Sequence, residues 1–250
     1  MTGNAPLDVR DRHVPGRPPR NHHWWRWISA GVLVLAVLVV LGGALALRFW
    51  AAAAPLALPI GLVTAPAGPL DGAWAAGTGS VAGFRVRESA LGMSGAVTGR
   101  TGAVTGTIVI SGGQVTRAVF RIGLTSITIA GKVQPQFARS LDTKQHPGAT
   151  ITLAGPVTLP PVFTSGATIT VRAPGRLTLR GTTRLVAVTL AARRDGTALQ
   201  AAGSIPITLA RWGITEPASY GVVGSLASYG TAEFLLVLHR DAGAGPGARR

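Results

Sequence analysis

The stretch "GRLTLRGTTRLVAVTL", residues 175–190, alternates apolar and polar side chains, stops at a glycine, and resumes the alternation. A period of two is the mark of a half-buried β-strand. Leu177 and Leu179 fall on one face, and Arg176, Thr178 and Arg180 on the other; beyond Gly181, Val186, Val188 and Leu190 share a face. Arg176, Arg180 and Arg184 raise a rival reading, a basic strand that holds nucleic acid. The rest of the chain decides between them. Net charge is +15, yet only Lys132 and Lys144 are lysines among 24 basic residues, and the composition is rich in Ala, Gly, Pro and Arg. The basic residues are spread out and do not cluster as a nucleic-acid footprint would. The arginines therefore read as the wet outer face of a sheet. No cysteine is present, which excludes disulfides, thiolate nucleophiles and cysteine zinc sites.

Residues 1–27 are polar and carry Arg10, Arg12, Arg17, Arg20 and Arg26, a composition that cannot bury a core and predicts a disordered tail. The uncharged run "ISAGVLVLAVLVVLGGALAL" follows at 28–47. As a helix it reaches about 30 Å, the thickness of a bilayer core. Trp24, Trp25 and Trp27 precede it and Phe49 and Trp50 follow, as rings in two interfacial belts do. After Arg48 the next basic residue is Arg85. The positive-inside rule thus predicts a single-pass membrane protein with a cytoplasmic N-terminus and an extracytoplasmic C-terminal domain. A cleaved signal peptide is the rival, with "WAAAAP" (50–55) as its small-residue site; the apolar run is longer than a usual h-region, which favours the anchor. Four prolines in residues 51–70 oppose a helix and predict a semi-rigid linker holding the domain off the membrane.

From Asp71 the period becomes two. "FRVRE" sets Phe84, Val86 and Glu88 against Arg85 and Arg87; "VTGTIVI" groups Val104, Ile108 and Ile110. After the "SGG" turn signal at 111–113, "VTRAVFRIGL" groups Phe120, Ile122 and Leu124 against Arg117 and Arg121. Further segments pair Ile151 with Leu153 and Ile169 with Val171, and "AEFLLVLHR" (232–240) closes the series. Eight or nine short strands with Gly-rich turns, and one helical piece near 135–144, argue an antiparallel sandwich or barrel. A small barrel either fills its interior or holds one ligand, and the alternation leaves both open.

Catalytic constellations are missing. His146 precedes Pro147 in a loop and His239 ends the last strand; neither has a partner suited to acid–base work. No histidine pair has zinc-ligand spacing, and no G-x-S-x-G elbow occurs. "GTGSVAG" (77–83) has one residue too many for a dinucleotide loop, and a strand follows where a helix is required. The expectation is a protein that is not an enzyme.

In order along the chain, "GSVAGFRVRE" (79–88), "VTGRTGAVTGTI" (97–108), "ARSLDTKQHPGATITL" (138–153), "GRLTLRGTTRLVAVTL" (175–190), "WGI" (212–214) and "AEFLLVLHR" (232–240) resemble the YceI-like family over essentially all of residues 74–240. The resemblance implies an all-β, antiparallel, eight-stranded lipocalin-like barrel with a short helix, exported, with a long internal pocket for a polyisoprenoid chain or related amphiphile and no catalytic residues. It gives the order 1–27 disordered cytoplasmic tail, 28–48 transmembrane helix, 49–73 Pro/Ala-rich linker, 74–240 barrel and 241–250 disordered tail. The chain departs from the family pattern at Glu88, where histidine is common, at Thr101 in place of an aromatic, and at Leu209 in place of an arginine; Trp212 keeps the family's aromatic. No head-group contact is carried over to those positions.

The expected wall of a lipid pocket is Phe84, Val86, Phe120, Ile122, Leu177, Leu179, Val188, Trp212, Phe234 and Leu236. The occupant is an isoprenoid-type lipid, a polyprenyl carrier or a quinone, and no cofactor is required. Trp212 is the favoured single wall residue because large aromatics contribute most area; Arg211 beside it is read as solvated. The alternative is a non-enzymatic envelope interaction protein with a filled barrel and a basic outer surface. Nucleic acid is not expected as a partner.

Overall fold

The alternation from Gly72 onward becomes, among the described residues, twelve antiparallel strands. They are β1 Gly72–Ala76, β2 Val81–Ala90, β3 Met93–Thr101, β4 Val104–Ser111, β5 Gln114–Gly123, β6 Thr128–Ile129, β7 Gly148–Leu153, β8 Val157–Thr158, β9 Ile169–Leu179, β10 Thr182–Asp195, β11 Ala198–Thr208 and β12 Gly224–Arg240. A short helix, α1 Pro135–Ser140, lies between β6 and β7 and buries Phe137. The computed structural model describes residues 53–90, 93–215 and 224–241, with Val37, Val39 and Val40. The strands belong to the compact unit Arg48–Arg250. Among the described residues no helix is long and apolar enough to cross a membrane. The expected span, 28–48, lies outside them apart from those three valines, as do both expected tails apart from Asp241.

The eight-membered ring β1-β4-β5-β7-β9-β10-β11-β12 closes because β12 also pairs with β1, Trp74 opposite Arg240. β1 and β2 follow one another along β12, and β4 and β3 follow along them, so each pair makes one long interrupted stave. Eight staves thus contain ten strands, and the two-residue β6 and β8 add to them beside β3 and β5. Closure removes the free edges that an open sheet would expose.

The β9–β10 hairpin begins earlier than the sequence suggests. Leu179 pairs with Thr182, so the turn is only Arg180–Gly181, and Thr183 and Arg184 are ladder residues. Both turn residues have positive φ, 48° and 71°, the conformation that a two-residue hairpin matching strand twist demands. Arg176 is exposed while Leu177 and Leu179 are buried, as the alternation required. In β12 a bulge between Leu226 and Gly230 inserts two residues against β2. Because the insertion is even, Leu226 stays on the same face as Phe234, Leu236 and Leu238.

The Pro/Ala-rich segment, over its described part 53–71, is laid against the barrel wall and does not stand off it. A proline-rich strand has few N–H groups to offer, so its carbonyls need outside donors. Arginines supply them. Arg85 donates to the Ala53 carbonyl (2.6 Å), Arg100 to Ala54 (3.1 Å), Arg193 to Pro59 (2.8 Å) and Arg240 to Pro69 (2.7 Å). Arg194 donates to both Ala67 (3.0 Å) and Gly68 (2.8 Å), and to Thr164 (3.4 Å) in the turn Pro161–Ser165. Arg194 is on the inward face of β10 with Val188 and Ala192 and is buried, so strap and turn are stitched across the end of the barrel that carries the β10–β11 hairpin turn, its hairpin end.

Where the strap begins it covers Glu233, on the outer face of β12. The carboxylate accepts from Arg85 Nε at 2.8 Å, Arg100 Nη2 at 2.7 Å and the Leu56 amide at 3.2 Å. Burial by itself raises the Glu233 pKa, but the Arg85 and Leu56 hydrogen bonds and the charges of Arg100 and Arg85 outweigh it and hold the carboxyl below its ordinary value. A lowered folded-state pKa favours the fold above the ordinary value near 4.5, and that contribution is lost as pH falls through the folded pKa. Urea midpoints measured against pH should therefore drop on the acid side in the parent. Glu233→Gln should flatten that limb and cost about 2–3 kcal/mol near neutrality, because two arginines lose their counter-charge but keep some water. An unchanged acid limb would sink the assignment.

An apolar cavity inside the barrel

The inward faces of the staves enclose a cavity of about 300 Å³ with an almost wholly apolar wall. It runs from Ile110, Phe163, Leu199 and Leu238 at the hairpin end to Leu141, Leu209 and Ile214 near α1. The first four are sealed at 2–3% exposure, and the Arg194 stitch lies beyond them. The residues at the α1 end are half-buried, which puts the mouth there.

Cross-strand register keeps this interior hollow. Phe84 stands opposite Gly99, Phe120 opposite Gly106 and Phe234 opposite Gly203. At Gly99 the ring lies where a Cβ would be, with Phe84 Cζ at 2.7 Å; a Cβ on Gly106 or Gly203 would meet Phe120 Cδ1 or Phe234 Cζ at 2.7 Å and, closer still, the backbone carbonyl of Val119 or Thr189. The rings are folded onto the wall, a glycine–aromatic pairing that antiparallel sheets tolerate well. Phe84 also stacks on Phe137 of α1, centroids 5.6 Å apart. Gly99→Ala would collide only with the side chains of Phe84 and Ile127. It should push the ring off the wall at about 1–3 kcal/mol, the usual cost of overpacking. A lowered urea midpoint, restored by adding Phe84→Leu, is the expected result; an unaltered midpoint in Gly99→Ala would contradict the seating of the ring.

Nine of the ten residues expected at a pocket wall line the cavity: Phe84, Val86, Phe120, Ile122, Leu177, Leu179, Val188, Phe234 and Leu236. Trp212 does not. It is 3% exposed and packs in the cluster of Leu179, Ile205 and Ile207, which do line the cavity. The 3-10 turn Leu209–Trp212 puts Leu209 on the lumen and buries the indole among its neighbours. Arg211 is exposed, with its guanidinium 5.8 Å from the indole centroid. Sequence reasoning missed Leu141 and Phe137 on the α1 segment and Leu209 and Ile214 around the 3-10 turn; a six-residue helix and a 3-10 turn carry too little periodicity to declare a face. Ile108, Ile151 and Leu190 were legible as inward residues from the same alternation and line the cavity too.

The departures from the family pattern are also placed. Glu88 is buried opposite Gly95 and Leu226. Thr101 Oγ1 is 2.8 Å from Ser126 Oγ and accepts from the Ala103 amide at 3.0 Å, so it ties a turn and leaves the lumen apolar. Leu209 offers the cavity no polar group. Among the described residues no three His, Cys, Asp or Glu side chains group as metal ligands, and Glu233 is engaged by two arginines on the outer wall.

The model of the YceI-like domain matches residues 75–228; domains of that family bind lipids and are not enzymes. A polyisoprenoid binding domain from Saccharophagus degradans, implicated in plant cell wall breakdown, is similar over 68% of this chain and 99% of its own, at 16% identity and a TM-score of 0.53. BcnA of Burkholderia cenocepacia is similar over 62% of this chain and 95% of its own, at 18% identity and a TM-score of 0.45. No curated protein matches the chain.

Proposed function

Since the chain belongs to the YceI-like family, we propose that its barrel holds the apolar chain of a polyisoprenoid-type amphiphile, such as a polyprenyl carrier or an isoprenoid quinone, outside the cytoplasm on a single N-terminal anchor. The observation that carries this reading is the hollow, apolar lumen. A prenyl chain taken from water into such a wall gains roughly 25 cal/mol per Å² of apolar area buried. Phe84, Val86, Phe120, Ile122, Leu177, Leu179, Val188, Phe234 and Leu236 supply the contact, and the half-buried rim at Leu141, Leu209 and Ile214 admits the chain. Nothing in this reading calls for bond making or breaking: the barrel shields a greasy chain and releases it.

The test is extraction of the detergent-purified full chain with organic solvent, followed by mass spectrometry and by uptake of added menaquinone or polyprenol. An isoprenoid lipid near one per chain is the expected result. An empty protein that takes up neither compound would overturn the reading. The anchor has its own test: intact N-terminal sequence on the membrane-bound protein supports it, and a start near Ala54 refutes it.

A further inference from the structure

The strap contains a feature that sealing the barrel does not require. Between its pinned points it exposes large aliphatic side chains: Ile60 and Leu62 are completely exposed and Val63 is 40% exposed. Both ends of this loop are held. Arg193 Nη2 donates to the Pro59 carbonyl at 2.8 Å. The Thr64 amide donates to Asp195 Oδ1 at 2.8 Å, and the Gly196 amide to the Thr64 carbonyl at 3.0 Å. The loop is thus a short projection fixed to the β10–β11 turn, and residues 55–63, "PLALPIGLV", contain no polar side chain. A single exposed leucine is ordinary, but a held cluster of aliphatic tips marks a contact surface.

We propose that Ile60, Leu62 and Val63 dip into the headgroup–acyl boundary of the bilayer, making a second membrane contact for the barrel. The occupant is a lipid surface because of the chain that precedes the loop. The uncharged run ends at Leu47, and among the described residues the strap is bound to the barrel from Ala53 on. Six steps reach about 20 Å at full extension, which keeps the strap near the surface the run would enter. Apolar side chains buried a few ångströms into the interface are how peripheral elements hold to membranes. The consequence is an orientation: the hairpin end faces the bilayer and the mouth near α1 faces away from it. This inference rests on the anchored reading above, and the experiment separates the two.

The chain has no cysteine, so Leu62→Cys, Leu185→Cys and Val37→Cys each introduce one thiol for an environment-sensitive NBD probe. Leu185 is 61% exposed near the β9–β10 turn, at the opposite end of the barrel. The full-length labelled chains are reconstituted in phosphatidylcholine–phosphatidylglycerol nanodiscs, with and without nitroxide-labelled acyl chains. The expected result is blue-shifted emission and strong nitroxide quenching at position 62, with water-like, unquenched emission at 185. Position 37 reports on the anchor alone. Absence of quenching at 62 overturns the proposal whatever position 37 shows. A blue shift at 62 without nitroxide quenching also overturns it, since the cover would then be protein. Quenching at 62 with none at 37 would refute the anchor and leave the loop contact standing.

Discussion

Leu179→Trp protein should carry little or no extractable isoprenoid lipid. Leu179 ends β9, is 9% exposed and lines the cavity. The indole is far larger than the isobutyl group it replaces, and the lumen is unfilled space beside it. The rest of the wall keeps its hydrogen bonds, because the change is confined to a side chain on the inner face. Overpacking costs about 1–3 kcal/mol when there is no room, and less where a cavity can take the ring. The expected outcome is therefore a cooperatively unfolding protein, destabilised by no more than about 2 kcal/mol, from which mass spectrometry recovers almost nothing. Parent-level lipid in a well-folded Leu179→Trp protein would mean the chain is held elsewhere.

Arg194→Ala should produce the largest loss of stability, about 2–4 kcal/mol, because three strap and turn carbonyls lose a buried donor at once and the end of the barrel loses its filling side chain. The carbonyls are those of Ala67, Gly68 and Thr164. A buried cation with no carboxylate partner among the described residues is expensive to keep, and Arg194 Nε has no partner among them either. Arg194→Met, which restores bulk without charge, should recover part of the loss. Urea denaturation gives the magnitude, and proteolysis of the strap gives the location: cleavage within residues 53–71 should accelerate in both variants. If the strap stays protected in Arg194→Ala, the stitch is not what holds it.

Most of the barrel wall is legible in the sequence. Leu177, Leu179, Val188, Phe84 and Phe120 declare their face through an alternation that needs no knowledge of neighbours, and nine of ten expected wall residues sit on the lumen. Trp212 was misplaced because its face is set by a four-residue 3-10 turn, which has no strand period to read. The arginines were read too uniformly. Arg176 and Arg211 are wet, as expected. Arg85, Arg100, Arg193, Arg194 and Arg240 instead capture strap carbonyls, and Arg194 is on the inner face. A sequence pattern marks an arginine's stave and parity, but the acceptor it meets lies 30 to 171 residues away in the bonds to Ala53, Thr164 and Pro69.

The sequence by itself determined the staves, their inner and outer faces, the Gly-rich turns and the lack of thiols, since each depends on residue type and a spacing of one or two. Whether the barrel was filled or hollow was decided only by the tertiary structure. That outcome depends on register: Phe84, Phe120 and Phe234 lie flat because Gly99, Gly106 and Gly203 come to stand directly across from them. A shift by two residues, the smallest that keeps each face, would set those rings against side chains and drive them into the lumen. Local alternation cannot encode which residue of another stave arrives opposite, because closure of the whole ring sets it.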